Sequence, residues 1–188
     1  MKGTEVWIAD GSQTVGPYFR IGLQYLVERA PTLVPGAEGT VTIRGRVLDR
    51  DGAAVPDALL EFWGANAEGK YGSVASGTDF PAGFYRVPTD GLGAFEVTVQ
   101  RPGVSAAGDG RSQAPHFLVL VFMRGLLRHL LTRVYFAGDE SNASDPVLQG
   151  TPDERRGTLL AQPVVPGSTL MEWNLVLQGA DETVFFAW

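Results

Sequence analysis

Between Val41 and Val47 the sequence reads VTIRGRV, with apolar residues at every second position, and after Leu48-Asp49 the triplet Arg50-Asp51-Gly52 closes the run with a turn. A period of two belongs to an extended strand with one buried face, because successive helical residues lie about 100° apart and would scatter the same apolar set around the axis. The pattern recurs. FYRV ends at Pro88, Asp90-Gly91 turns the chain, and AFEVTV (Ala94 to Val99) alternates until Arg101-Pro102-Gly103 stops it. LLEFW (Leu59 to Trp63), His116 to Met123, Leu130 to Phe136, Leu170 to Leu177 and Thr183 to Phe186 read as further strands. Only Ile21 to Ala30 and Pro152 to Leu160 carry a helical period. The 24 glycines and 12 prolines are scattered in small clusters and are not pooled in one linker, as punctuation between many short strands requires. The expected fold is all-β: an antiparallel β-sandwich with one or two short helices and long loops. It would form a single domain over residues 1–188, with an N-terminal arm over about 1–22.

A chain of 188 residues can bury a core without covalent staples. Cysteine is absent, which excludes disulfides, zinc-thiolate sites and thiol nucleophiles, and fits a reducing cytoplasm. A net charge of -6 with no stripe of Lys and Arg argues against a nucleic-acid partner. The longest strictly apolar run, Phe117 to Met123, falls far short of the roughly 20 residues a membrane helix needs. The start, MKGTEVWIAD, lacks the apolar stretch of a secretion signal. A soluble cytoplasmic protein is the expectation.

Three features interrupt the apolar pattern. His116 opens the run HFLVLVF, where His116, Leu118, Leu120 and Phe122 share one face and Phe117, Val119 and Val121 the other. Read alone, it is a core histidine with a satisfied ring before it is a metal ligand: a two-histidine site on one strand needs His-x-His, and Leu118 holds the second place. Arg133, in LLTRVYF, shares a face with Leu131 and Tyr135. A guanidinium among apolar side chains needs an anion or several acceptors. An internal carboxylate such as Asp139 or Glu140 would serve, and so would a ligand carboxylate gripped by two parallel N–H bonds. The third feature is SQTVGPYF, Ser12 to Phe19. Gly16 allows close approach, Pro17 fixes chain direction, and Thr14 and Tyr18 carry hydroxyls; read alone, the segment is a rigid arm packing on the sandwich.

Taken together, QTVGPYF, GRVLDRDGAAVPDALLEFWGANAEGKYG, PTDGLGAF, RPG, APH, MRG, HLLTRVYF and ETVFFAW resemble the intradiol aromatic-ring dioxygenases, most closely the alpha chains of their heteromeric members. Catalytic chains of that family hold a ferric ion with two tyrosines and two histidines, hard phenolate donors that favour Fe(III). By this resemblance Tyr71 closes the W-x-A-x-x-x-G-x-Y element as the first ligand tyrosine, Ser105 replaces the second, and His116 is retained while Leu118 replaces the second histidine. The segment Pro102 to Pro115 contains no tyrosine. With Tyr71 and His116 as vestigial positions, no metal and no catalytic residue is expected in this chain.

The resemblance implies a hetero-oligomer of αβ units in which the beta chain binds Fe(III) and this chain completes the substrate pocket. Substrate-binding residues would be Arg133, facing the carboxylate of 3,4-dihydroxybenzoate (protocatechuate), with Thr14, Gly16, Pro17 and Tyr18 of the arm. The implied reaction is cleavage by O2 to 3-carboxy-cis,cis-muconate. Two other readings stay open from sequence: a self-sufficient enzyme with ligands Tyr71, His116 and His129, and a β-sandwich recognition module of transthyretin-like architecture.

Overall fold

Eleven strands carry the chain in the computed structural model, which describes residues 11–16, 18–29, 33–72 and 82–187. They are β1 (Thr40–Leu48), β2 (Leu59–Gly64), β3 (Phe84–Pro88), β4 (Ala94–Gln100), β5 (Ser105–Ala106), β6 (Ser112–Gln113), β7 (His116–Phe122), β8 (Leu130–Phe136), β9 (Leu160–Pro163), β10 (Leu170–Glu172) and β11 (Leu175–Val176). Among the described residues four α-helices of one or two turns accompany them, α1 (Tyr18–Gly22), α2 (Gln24–Arg29), α3 (Pro146–Gly150) and α4 (Asp153–Arg156), with 3-10 turns at Glu140–Ser144 and Gly157–Leu159. Among the described residues no helix is long and apolar enough to cross a membrane.

The all-β expectation holds, but the antiparallel sandwich does not. Hydrogen bonding runs continuously along β3, β2, β7, β8, β9, β10 and β1, with β4 on the far edge of β1 and β11 following β10 along the near one. Within this sheet β1 is parallel to both β10 and β11, and β8 is parallel to β9. The strand β9 makes the corner: Leu160 and Ala161 pair with Tyr135 and Phe136, while Gln162 and Pro163 pair with Glu172 and Met171. The result is a curled mixed sheet whose ends face each other. Phe62 of β2 meets Phe95 of β4 at 6.2 Å and Trp173 at 6.5 Å between ring centres. One core gathers Val41, Ile43, Phe62, Phe95, Phe117, Val119, Val134, Phe136 and Trp173. Alternation fixes which side chains point inward but says nothing about the direction of the neighbouring strand.

The strand read over Leu170 to Leu177 is broken at Trp173 and Asn174. Trp173 drives its indole into the core and donates from Nε1 to the Thr158 carbonyl at 2.9 Å. Its own carbonyl lies so near β1 that a Cβ on Gly45 would stand 1.7 Å from it, which is why this strand carries a glycine at its centre. Asn174 bridges the gap, its side-chain oxygen accepting the Arg46 N–H at 2.9 Å. Thr183 to Phe186 forms no strand, although it lies along the sheet, Phe186 N–H donating to the Leu131 carbonyl. The helix read over Pro152 to Leu160 is confined to α4 and a following 3-10 turn, and Leu160 already belongs to β9.

Candidate functional site

The hairpin of β7 and β8 places His116 opposite Tyr135 and Leu118 opposite Arg133, on the sheet face turned away from the core. That face continues onto β2, where Trp63 stands beside Leu118. Thr132, Val134 and Phe136 take the core face, so Arg133, Leu131 and Tyr135 share the outer one as their spacing requires.

Tyr71 reaches this face from the loop after β2. Asn66 organises that loop, its side-chain oxygen accepting from the N–H groups of Glu68 and Lys70, with Gly69 in the left-handed region at φ 76°. The Tyr71 ring then packs edge-on against Trp63 at 6.4 Å and remains 43% exposed. Its hydroxyl lies 3.4 Å from His116 Nε2.

His116 is 2% exposed. Its Nδ1 lies 2.7 Å from the Ala114 carbonyl, which can only accept, so Nδ1 carries the proton and Nε2 presents a lone pair to the Tyr71 hydroxyl. Burial, reinforced by the nearby Arg133 guanidinium, pushes the imidazole down from 6.5 to about 4. The Ala114 hydrogen bond and the Asp145 carboxylate oppose this shift without overcoming it.

Below His116 the ring of Tyr135 stacks at 5.3 Å, fully buried. Its hydroxyl donates to Asp145 Oδ1 at 3.2 Å and accepts from Arg133 Nη1 at 3.1 Å. Desolvation raises its pKa above the ordinary phenol value although Arg133 pulls the other way, so it stays a donor. Asp145 has no exposed surface. It also accepts the Ala114 N–H at 2.9 Å and those of Val147 and Leu148 at 2.8 and 3.0 Å, capping α3 ahead of Pro146. Of the internal partners considered for Arg133, Asp139 pairs with Arg101 at 3.0 Å and Glu140 is exposed at the start of a 3-10 turn; among the described residues no carboxylate forms an ion pair with Arg133.

The donor set does not fit a ferric ion. Tyr71 and His116 are brought together, but Leu118 has no ligating atom, and the Tyr135 phenol is engaged by Asp145 and Arg133. Arg133 adds positive charge close enough to His116 to lower its pKa. Among the described residues no group of three or more His, Cys, Asp or Glu is arranged to hold a metal. His129 stacks on Phe122 at 5.3 Å, at the far end of β7 and about 20 Å along the strand from His116, so the ligand set Tyr71, His116 and His129 is not assembled.

The arm lies on the same outer face, toward that far end. Thr14 Oγ1 accepts the Gly125 N–H at 2.9 Å in the turn between β7 and β8, and Phe19 stacks on Phe122 at 5.2 Å. Gly16 takes φ 67°, which lets its carbonyl turn to the Phe19 N–H. Tyr18 projects outward, 78% exposed, and Pro17 lies outside the described residues. Within this chain Arg133 is not in contact with the arm, since it faces Leu118, about 13 Å along β7 from Phe122. Sequence reading passed over Tyr135 and Asp145 as site residues. Asp145-Pro146 is a helix-start signal that could have located the carboxylate, but nothing local links it to β8.

A family model described as Dioxygenase matches residues 28–179. The protocatechuate 3,4-dioxygenase alpha chain of Burkholderia cepacia is 43% identical over 193 aligned positions, covering 93% of this chain and 95% of that one. The alpha chain of the same name from Pseudomonas putida is 35% identical, covering 93% and 94%. The Burkholderia cepacia beta chain is 32% identical over 76% of this chain and 66% of its own. The fold is shared with 3-chlorocatechol 1,2-dioxygenase from Rhodococcus opacus, at a TM-score of 0.60 and 18% identity over 85% of this chain and 77% of that one. With a family match over most of its length and full-length relatives at this identity, the chain belongs to the intradiol ring-cleaving dioxygenases.

Proposed function

We propose that this chain is the non-iron-binding alpha subunit of a protocatechuate 3,4-dioxygenase and lends its outer sheet face to the pocket of an iron-bearing beta chain. The observation that carries this is Arg133: a permanent cation on an outward face, held by a neutral hydroxyl, that forms no direct ion pair with a described carboxylate, Asp145 being reached only through Tyr135. The carboxylate of 3,4-dihydroxybenzoate is the anion that fits it. That Leu118 stands beside the Tyr71–His116 pair, where a donor would be needed, and that the Tyr135 phenol is engaged by Asp145 and Arg133, supports assigning Fe(III) to the partner, where the ion would bind the catecholate oxygens and activate the ring toward O2. The product on this reading is 3-carboxy-cis,cis-muconate, and the assembly is built of αβ units.

This chain's task is orientation. Arg133 would hold the carboxylate by charge-assisted N–H bonds, while Thr14, Gly16, Pro17 and Tyr18 would wall the aromatic ring. The Thr14 hydroxyl accepts from Gly125 and keeps its own hydrogen free to donate. Tyr18, Ile21 and Tyr25 are exposed along the arm, apolar surface that a beta chain would cover.

A carboxylate–guanidinium pair in a partly dry pocket is worth about 1.5–3 kcal/mol, or roughly ten- to a hundredfold in binding. In the co-expressed αβ complex, Arg133→Ala should raise the apparent Kd for protocatechuate by that factor and leave the iron content of the complex as in wild type. Wild-type affinity in this variant would remove the carboxylate assignment.

A further inference from the structure

The guanidinium of Arg133 does not stand alone on its strand. Its Nη1 donates to the Tyr135 hydroxyl at 3.1 Å, and the same hydroxyl donates to the fully buried Asp145 at 3.2 Å. Asp145 is itself immobilised by three backbone N–H groups, those of Ala114, Val147 and Leu148. Ala114 in turn accepts the His116 ring N–H, so the corner where a metal ligand survives is tied into the same chain of hydrogen bonds.

We propose that Tyr135, oriented by Asp145, is a positioning residue that fixes the direction from which Arg133 meets the substrate carboxylate, and so sets the preference for carboxylated over plain catechols. Arginine has several rotatable bonds, and an outward guanidinium without a fixed acceptor samples many of their rotamers. The Tyr135 hydroxyl takes one N–H and leaves the remaining donors for a ligand. It is suited to this because its own hydrogen is committed to Asp145, which leaves an oxygen lone pair for Arg133. A carboxylate at the same place would neutralise the guanidinium and compete with the ligand, whereas a phenol orients without neutralising. His116 is then retained as part of the frame that holds Asp145 and Ala114 in place.

This inference rests on the proposed carboxylate-binding role of Arg133, and the test separates the two. Anaerobic titrations of the αβ holoenzyme with protocatechuate and with catechol, which lacks the carboxylate, give a Kd ratio for wild type, Tyr135→Phe, Arg133→Ala and the double variant. Tyr135→Phe keeps the ring and removes only the hydroxyl. Expected is a loss of preference for protocatechuate of about five- to tenfold in Tyr135→Phe, a larger loss in Arg133→Ala, and no further loss in the double variant. If Tyr135→Phe keeps the wild-type ratio while Arg133→Ala loses it, the positioning role is wrong and the carboxylate reading stands. If Arg133→Ala itself keeps the ratio, the underlying reading has failed. An equal loss for both ligands, or full additivity in the double variant, would also overturn the proposal, because general loosening of the fold has no reason to act through Arg133.

Discussion

His116 is a buried base held neutral by its surroundings, and this has a measurable consequence. The unfolded chain takes up a proton at this residue below about 6.5, while the folded chain refuses it until about 4. Stability contributed by His116 is therefore undiminished above pH 7 and declines as pH falls from about 6.5 to about 4, by about 3 kcal/mol in all. Urea unfolding midpoints across pH 4 to 8 should show that slope in wild type and lose it in His116→Asn, whose amide can still donate to Ala114. Identical pH profiles for the two would contradict it. Tyr71 presents the opposite case: the residue is 43% exposed and its contact with His116 is long at 3.4 Å, so Tyr71→Phe should change stability by less than about 0.5 kcal/mol. Both positions were legible in the sequence only through the resemblance to the family's ligand pattern. What replaced the pattern was not, because Tyr135 and Asp145 are ten positions apart and meet only when α3 packs over β8.

Among the elements, β7 and β8 carry the site because their antiparallel register sets His116 opposite Tyr135 and Leu118 opposite Arg133 on one face. Leu130 to Phe136 matches the strand residue for residue, and His116 to Met123 overshoots by one. Helix α3 depends on a single side chain. Asp145→Ala would strand the N–H groups of Ala114, Val147 and Leu148 together with the Tyr135 hydroxyl, all buried or nearly so, and should cost about 3 kcal/mol or more. Thermal unfolding of the variant would measure this, and a loss below about 1 kcal/mol would mean that water reaches these groups. The junction of β1 and β10 has its own weak point at Gly45, where an added methyl would collide with the Trp173 carbonyl. Gly45→Ala must push the two strands apart, and a cost of about 3 kcal/mol or more is expected from overpacking and lost ladder bonds.

For the molecule as a whole, one sheet curls until β4 and β2 face each other through Phe95 and Phe62, while the outer face of β7 and β8 is partly covered by the arm at Phe122 and by Leu148, Leu159 and Phe186 around Tyr135. At this scale the expectation concerns composition. Purified alone, the chain should be colourless and free of stoichiometric iron, and co-purified with its beta partner it should bring down an iron-bearing, coloured complex. One firmly held ferric ion per isolated chain, measured by metal analysis, would contradict the reading of the donor set. From residue order alone came the all-β character, most strand positions and the inward faces, because each is written in local periodicity. The parallel pairings of β1 and β8, the corner at β9, and the meeting of Arg133, Tyr135, Asp145 and His116 belong to the folded state alone. They join residues that are distant in the chain, and no short-range pattern specifies which strand will lie beside another or in which direction.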